Sequence, residues 1–329
     1  MAPTAANAMT LELGAAAVLK CSMPRFAPLA LFALVLSLSS FLPAAESTPR
    51  VLKDVAFLAP DRAEKLDVYL PATLPAGTLA PAVVWIHGGG WTGGTKNESR
   101  AAEICGTLAA AGYVAVSIDY RLGDGAWPTN LHDCKNAVRF LRARAAEYRI
   151  DPQRIAIAGG SAGGHLALMT GLTADQAEFE PAANATPYPG ISSQVRCILD
   201  LYGPASLLTR LETDAKGVPN GKRKPGGDLK VFGAASIDDP VFALASPVTH
   251  VTKNSPPVLI IHGLIDGTVD IGQSWTLAGT LGRRGVEHEF ILVEGAGHTF
   301  DFEFWNKKAL SRDLRPVALA FLAKHLATR

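Results

Sequence analysis

A rhythm in hydropathy constrains this chain more than any other feature. Short apolar runs of strand length recur at Val55–Leu58, Leu66–Leu70, Ala82–Ile86, Val114–Ile118, Arg154–Ala158, Val195–Leu201, Val258–Ile261 and Glu289–Val293. From the third run onward the gaps hold segments of helical period: Asn97–Ala111, Leu131–Tyr148, Ala162–Leu172, Ile271–Gly285 and Lys308–Ala327. Near-continuous β-branched strands joined by helical crossovers pair in parallel and must be covered on both faces. The expectation is an α/β fold whose sheet has about eight strands, mostly parallel, with helices on both faces. The first two runs have no helix between them, so an antiparallel N-terminal edge is expected.

Charge and composition narrow the function classes. Lys plus Arg number 31 and Asp plus Glu 30, a formal net charge of +1 over 329 residues. That balance offers no basic footprint for nucleic acid and no polycationic face for a lipid surface. Hydrophobic residues at 48% with 19% charged exclude an intrinsically disordered or fibrous chain. At the N-terminus, Arg25 precedes an apolar run from Phe26 to Leu42 and then the small residues Ala44, Ala45 and Ser47. This is the order of a secretory signal, so residues 1–45 are expected to be a signal peptide behind an unusually long lead, with translation starting at Met23. The rival is a retained anchor, which Ser37, Ser39 and Ser40 disfavour. Residues 46–329 are expected to form a single catalytic domain, secreted or periplasmic. Of the cysteines it retains, Cys105, Cys134 and Cys197 all sit in apolar-periodic segments and are expected to be buried thiols. No Cys/His cluster has ligand spacing, so neither metal nor organic cofactor is expected.

Gly159-Gly160-Ser161-Ala162-Gly163 lies directly after one strand and directly before one helix. On so sharp a turn a serine takes a strained conformation, and small residues two positions away let strand and helix backbones approach. The hydroxyl is thereby presented at the carboxyl end of the sheet. A phosphate-binding turn would need GxGxxG or GxxxxGK[ST], and neither is present. Serine is a weak nucleophile until a base takes its proton and a carboxylate orients that base. Where a serine occupies such an elbow, the acid and then the histidine follow in the chain. Of the six downstream histidines, His298 alone falls in a Gly-flanked loop after the last strand, whereas His165 lies one turn into the nucleophile helix and His262 sits too close to the best acid. Asp266 is the candidate acid, with Asp270 and Asp200 as rivals; the plain reading of Asp200 is a cap on the turn before Gly203-Pro204. His87-Gly88-Gly89-Gly90-Trp91 follows the third strand, and the Gly89 and Gly90 amides with that of Ala162 are candidates for an oxyanion hole. Trp91 is read as a substrate-pocket wall, with a core aromatic as the alternative. His87 is read as a structural hydrogen-bonder.

With HGGGW and GGSAGGHLA in place, the chain resembles the carboxylesterases of the α/β-hydrolase superfamily, and within it the secreted feruloyl and acetyl-xylan esterase branch. The likeness runs from Val51 to Arg329 and includes Asp119-Tyr120-Arg121, Ile150-Asp151-Pro152 and Asp200-Leu201-Tyr202-Gly203-Pro204. The resemblance implies a triad of Ser161, Asp266 and His298 and an oxyanion hole of Gly89, Gly90 and Ala162. It implies a small ester or acylated carbohydrate as the partner, while the charge balance argues against nucleic acid and the lack of a second long apolar run against stable membrane association after signal cleavage. Hormone-sensitive-lipase-like relatives carry an N-terminal helical cap and a DYRLAPE segment, and this chain reads DYRLGDG from Asp119. Any cap role therefore passes to two irregular stretches, Asp175–Ser193 and Thr209–Asp228, both expected to be substrate-side insertions. The activity expected is hydrolysis of short-chain or aromatic acyl esters. An amide hydrolase such as an arylformamidase or small peptidase, and a catalytically silent binding protein, are the alternatives.

Overall fold

Alternation along each strand decides which helix covers which face. In a computed structural model that describes residues 49–174, 176–182, 185–224 and 229–328, Val84 and Ile86 point into one apolar cluster and Val83 and Trp85 into another. The strands are β1 (Arg50–Ala56), β2 (Lys65–Leu70), β3 (Ala80–Ile86), β4 (Val114–Ile118), β5 (Ile150–Gly160), β6 (Ile198–Leu201), β7 (Leu211–Thr213), β8 (Pro219–Arg223), β9 (Val258–Gly263), β10 (His288–Val293), β11 (Phe304–Trp305) and β12 (Lys308–Ala309). The helices are α1 (Ser99–Ala110), α2 (Thr129–Ala143), α3 (Ala145–Tyr148), α4 (Ala162–Leu172), α5 (Val241–Leu244), α6 (Gly272–Arg283) and α7 (Arg315–His325). The proposed signal segment, residues 1–45, lies outside the described residues.

Eight strands form one sheet in the order β1-β2-β4-β3-β5-β6-β9-β10. β1 pairs antiparallel with β2, and β2 with β4; every other pairing is parallel. The eight-stranded, mostly parallel sheet and its antiparallel N-terminal edge are thus as the strand pattern implies. α2, α4 and α6 bury Leu131, Leu166 and Leu277 against one face, and α1 and α7 bury Leu108 and Phe321 against the other. α4 is buried along its whole length, because it runs beside β5 with both flanks covered. Cys105, Cys134 and Cys197 are buried free thiols. No helix among the described residues is long and apolar enough to cross a membrane.

Three expectations need correction. The helix anticipated from Lys308 begins only at Arg315, since Lys308 and Ala309 pair with Trp305 and Phe304 and Pro316 favours a helix start. The helix anticipated over Leu131–Tyr148 breaks at Arg144, and Arg149 then adopts a left-handed conformation that turns the chain into β5. Among the described residues of the two irregular stretches, only those of the second line a cavity at Ser161. Within the first, Glu180 pairs with Lys135 and Arg139 of α2, Arg139 also donates to Ile191 O, and Tyr188 donates to Phe57 O. Those cations on α2 tie it to the sheet's flank instead.

The elbow between β5 and α4 tolerates no extra atoms. A Cβ on Gly159 would lie 2.2 Å from Gly163 O, and one on Gly163 would lie 2.1 Å from Ile86 O and 2.5 Å from His87 O. All these neighbours are backbone and cannot swing aside. Gly163→Ala is therefore expected to cost about 1–3 kcal/mol of overpacking strain; a denaturant midpoint equal to that of the parent would contradict this geometry.

Candidate active site

Ser161 holds φ +59° and ψ −123°, a conformation rarely adopted by a residue with a side chain. The surrounding bonds hold it there: its amide donates to Leu201 O of β6 at 2.9 Å, and its carbonyl accepts from His165 N at 3.0 Å. The side chain is consequently raised above the sheet edge. His298 meets it from the loop after β10, with Ser161 Oγ donating to His298 Nε2 at 2.9 Å. The other ring nitrogen, Nδ1, donates to Asp266 Oδ2 at 2.7 Å. The structure therefore joins the three sequence-predicted side chains in one continuous run of hydrogen bonds.

Each partner is braced from behind. Asp266 Oδ1 accepts from the amides of Thr268 (2.8 Å) and Val269 (2.9 Å). His262 lies 3.3 Å from Asp266 Oδ2 through Nε2, which also donates to Val269 O, while Ser274 Oγ donates to its Nδ1. Burial pushes the Asp266 pKa up, but the bonds from His262 and His298 outweigh it and hold the carboxyl well below the usual range. Its charge is thereby kept beside His298. The His298 carbonyl accepts from Trp305 Nε1 at 3.0 Å, and the Tyr202 ring stands edge-on to the imidazole at 4.9 Å. His262, set aside in sequence for its nearness to Asp266, is thus its second neighbour.

The HGGGW loop faces this array. Gly89 (φ +106°) and Gly90 (φ +61°) form a tight turn in which a Cβ on Gly89 would stand 2.0 Å from Gly93 O. Tyr120 Oη donates to His87 O at 3.0 Å and its ring stacks on His87 at 4.4 Å, which holds the loop from below. Neither the Gly89 nor the Gly90 amide donates to an acceptor among the described residues, and the Ala162 amide belongs to the first turn of α4, where helices leave N–H groups free. Gly89, Gly90 and Ala162 line the same cavity as Ser161. The Trp91 ring is buried to 1% exposure, packs on Phe232 and donates from Nε1 to His165 Nδ1 at 3.2 Å. Trp91 also contributes to the cavity wall, so one residue serves core and pocket. With Nδ1 of His165 accepting, its Nε2 donates to Ala245 O at 2.7 Å, and burial depresses that ring's pKa to about 4.

Two cavities meet at Ser161. One, of about 430 Å³, is lined by Trp91, Pro204, Arg210, Lys224, Thr268 and His298; the other, of about 360 Å³, runs past Glu98, Arg100 and Tyr202. Both include Gly89, Ser161 and Thr299. An ester has two halves on either side of its carbonyl, and this bipartite cleft provides a space for each. Arg210 and Lys224 had no individual signal in sequence; only their place in the stretch Thr209–Asp228 pointed toward the site.

The rival acids lie elsewhere. Asp270 Oδ2 accepts from Leu211 N at 3.0 Å. Asp200 Oδ1 accepts from Gly203 N at 3.0 Å and caps the turn, while Oδ2 is buried without a partner. Burial pushes the Asp200 pKa up to about 8, only partly offset by the Gly203 bond. Between the ordinary aspartate value of 3.8 and pH 8 the unfolded chain has released this proton and the folded chain keeps it, so stability falls as pH rises by about 1.4 kcal/mol per unit. Asp200→Asn retains the acceptor for Gly203 and carries no charge, so its melting temperature is expected to fall less than the parent's between pH 5 and 8. Parallel curves for the two proteins would refute the buried neutral carboxyl.

The chain is similar to known esterases. Residues 66–281 match the BD-FAE family. Esterase LipC of Mycobacterium tuberculosis is 32% identical over 247 residues, covering 73% of this chain and 58% of the relative. The chain spans only about half the length of the curated relatives it matches. Among solved structures, a truncated carbohydrate esterase from gut microbiota superposes with a TM-score of 0.72 at 26% identity, covering 87% of this chain and 99% of that one. Thermogutta terrifontis Est2 with propionate bound superposes at 0.66 with 28% identity, covering 87% and 98%.

Proposed function

The chain belongs to the BD-FAE family of α/β-hydrolase carboxylesterases, and we propose that it is a secreted or periplasmic serine esterase for short-chain or aromatic acyl esters, including acetyl or feruloyl groups on plant polysaccharide. One observation carries the catalytic reading: the unbroken Ser161–His298–Asp266 hydrogen-bond run, opening into a cleft that Gly89, Gly90 and Ala162 also line. Ser161 Oγ attacks the ester carbonyl while His298 Nε2 takes its proton. The Gly89, Gly90 and Ala162 amides receive the developing oxyanion, an effect of about 2.7–4 kcal/mol per donor. His298 then returns the proton to the departing alcohol, and the acyl-enzyme is released by water along the same path in reverse roles. Asp266 holds the imidazole in the tautomer that leaves Nε2 free to accept.

Support for a small acyl group comes from the modest cavities and from a relative whose structure holds propionate. Support for a carbohydrate alcohol comes from the carbohydrate esterase that superposes over nearly its whole length. The export reading rests on the apolar run at residues 26–42 and the small residues behind it.

An organophosphonate ester probe is expected to label Ser161, read by peptide mass mapping, and to leave Ser161→Ala unlabelled. Asp266→Asn is expected to lower kcat on a short-chain aryl ester by about 10⁴-fold through the wrong imidazole tautomer. Label on any other residue, or turnover by Ser161→Ala equal to that of the parent, would refute the reading.

A further inference from the structure

Strands β7 and β8 form a hairpin whose tip and base do different things. The tip packs on the acid loop: a Cβ on Gly217 would lie 3.0 Å from both Asp266 N and O, and one on Gly267 would lie 2.8 Å from Asp214 O. At the base, Lys224 N donates to Arg210 O at 2.9 Å, so the two residues are neighbours across the ladder. Their side chains converge as well. Arg210 donates from Nη2 to Thr268 O at 3.2 Å and Lys224 from Nζ to the same oxygen at 3.1 Å. Two cations thus share one neutral carbonyl on the wall of the cavity that contains Ser161 and His298.

This arrangement has donors to spare and no direct ion-pair partner, although Asp266 and Asp270 act on both cations from a distance. Arg210 is only 6% exposed, yet its Nε has no acceptor, and buried guanidinium donors are ordinarily satisfied. Among the described residues no carboxylate lies within ion-pair distance of Arg210 or Lys224. The two nearby acids are engaged: Asp266 by His298 and two loop amides, Asp270 by Leu211 N. Burial lowers the pKa of both cations and the Arg210 charge lowers that of Lys224 further, shifts that Asp266 and Asp270 oppose without cancelling. Two like charges at the edge of a partly dry cleft, where desolvation outweighs the neighbouring acids, are stabilised by an anion that pairs with them directly.

We propose that Arg210 and Lys224 form an anion subsite that binds a carboxylate on the substrate, so that the ester cleaved at Ser161 is an acidic one. A planar carboxylate can take paired N–H bonds from a guanidinium and a further charge-assisted bond from an ammonium. The carboxylate sits either on the acyl half, as in a dicarboxylic half-ester, or on the alcohol half, as in an acylated uronic acid. The inference rests on the esterase reading for placing the scissile bond at Ser161.

The test is equilibrium binding by calorimetry to Ser161→Ala, which needs no turnover. Monoethyl succinate is compared with ethyl succinamate for the acyl side, and 4-acetoxybenzoate with 4-acetoxybenzamide for the alcohol side. One anionic ester is expected to bind at least tenfold tighter than its neutral amide, and that ratio is expected to collapse toward unity in Ser161→Ala/Lys224→Gln and to shrink with added salt. Arg210→Gln is a second variant, but Arg210 is buried, so Lys224→Gln carries the comparison. The pair that shows the preference identifies the half of the ester that bears the charge. Equal affinity within both pairs, no detectable binding of either anionic ester, or a preference that survives Lys224→Gln would overturn the subsite. Failure of the wild-type protein to hydrolyse any ester would overturn the esterase reading separately, without altering this readout.

Discussion

Where β5 turns into α4, backbones pass so close that hydrogen atoms alone fit between them. Gly159 faces Gly163, Gly163 faces Ile86 and His87, and Gly88 abuts Ser161 with 3.2 Å between a would-be Cβ and the serine Cβ. That compression does two jobs. It forces Ser161 into its positive-φ conformation and raises the hydroxyl clear of the sheet, and it brings the HGGGW loop at the end of β3 alongside the first turn of α4. Nucleophile and amide donors are therefore positioned by one packing constraint, built on the parallel pairing of β3 with β5.

The base and the acid depend on a second set of contacts at the other end of the same edge. Ile265 N donates to Ala296 O at 3.0 Å, and a Cβ on Gly263 would strike Ala296 O at 2.4 Å. The loops after β9 and β10 are thus laced together before any side chain is considered. His262 and the amides of Thr268 and Val269 then fix the Asp266 carboxylate, and Asp266 fixes the imidazole. Hydrogen bonds to the charged form act against desolvation here, and they prevail. The β7–β8 hairpin adds a lid over the acid loop and carries two cations to the cleft, joining support of the acid loop and the proposed substrate selection in one insertion.

Much of this was legible in the sequence. Strand and helix periods give the sheet because a buried parallel strand has to be apolar on both faces, and all eight anticipated strands appear with ends shifted by a few residues. Ser161, Asp266 and His298 could be chosen because each follows a strand at the carboxyl edge. Legibility ended where local pattern ceased to report on contacts. The hairpin Leu211–Arg223 has no apolar alternation, since its exposed second strand buries no face, and it reads as irregular until the acid loop beneath it is seen. The stretch 175–193 has similar composition but is held at the flank by cations on α2. Lys308 and Ala309 look helical in a propensity sense and are held extended by pairing with β11.

Local pattern in the chain is enough for the α/β class and the elbow serine, because hydrophobic period and glycine requirements act over a few residues. Only the folded packing shows that His262 flanks the acid, that one oxygen of the Asp200 cap is buried without a partner, that Trp91 serves core and cleft at once, and that Arg210 and Lys224 share a carbonyl on the pocket wall. Those facts depend on which distant backbones come together at the sheet edge, and separation along the chain carries no record of such distances.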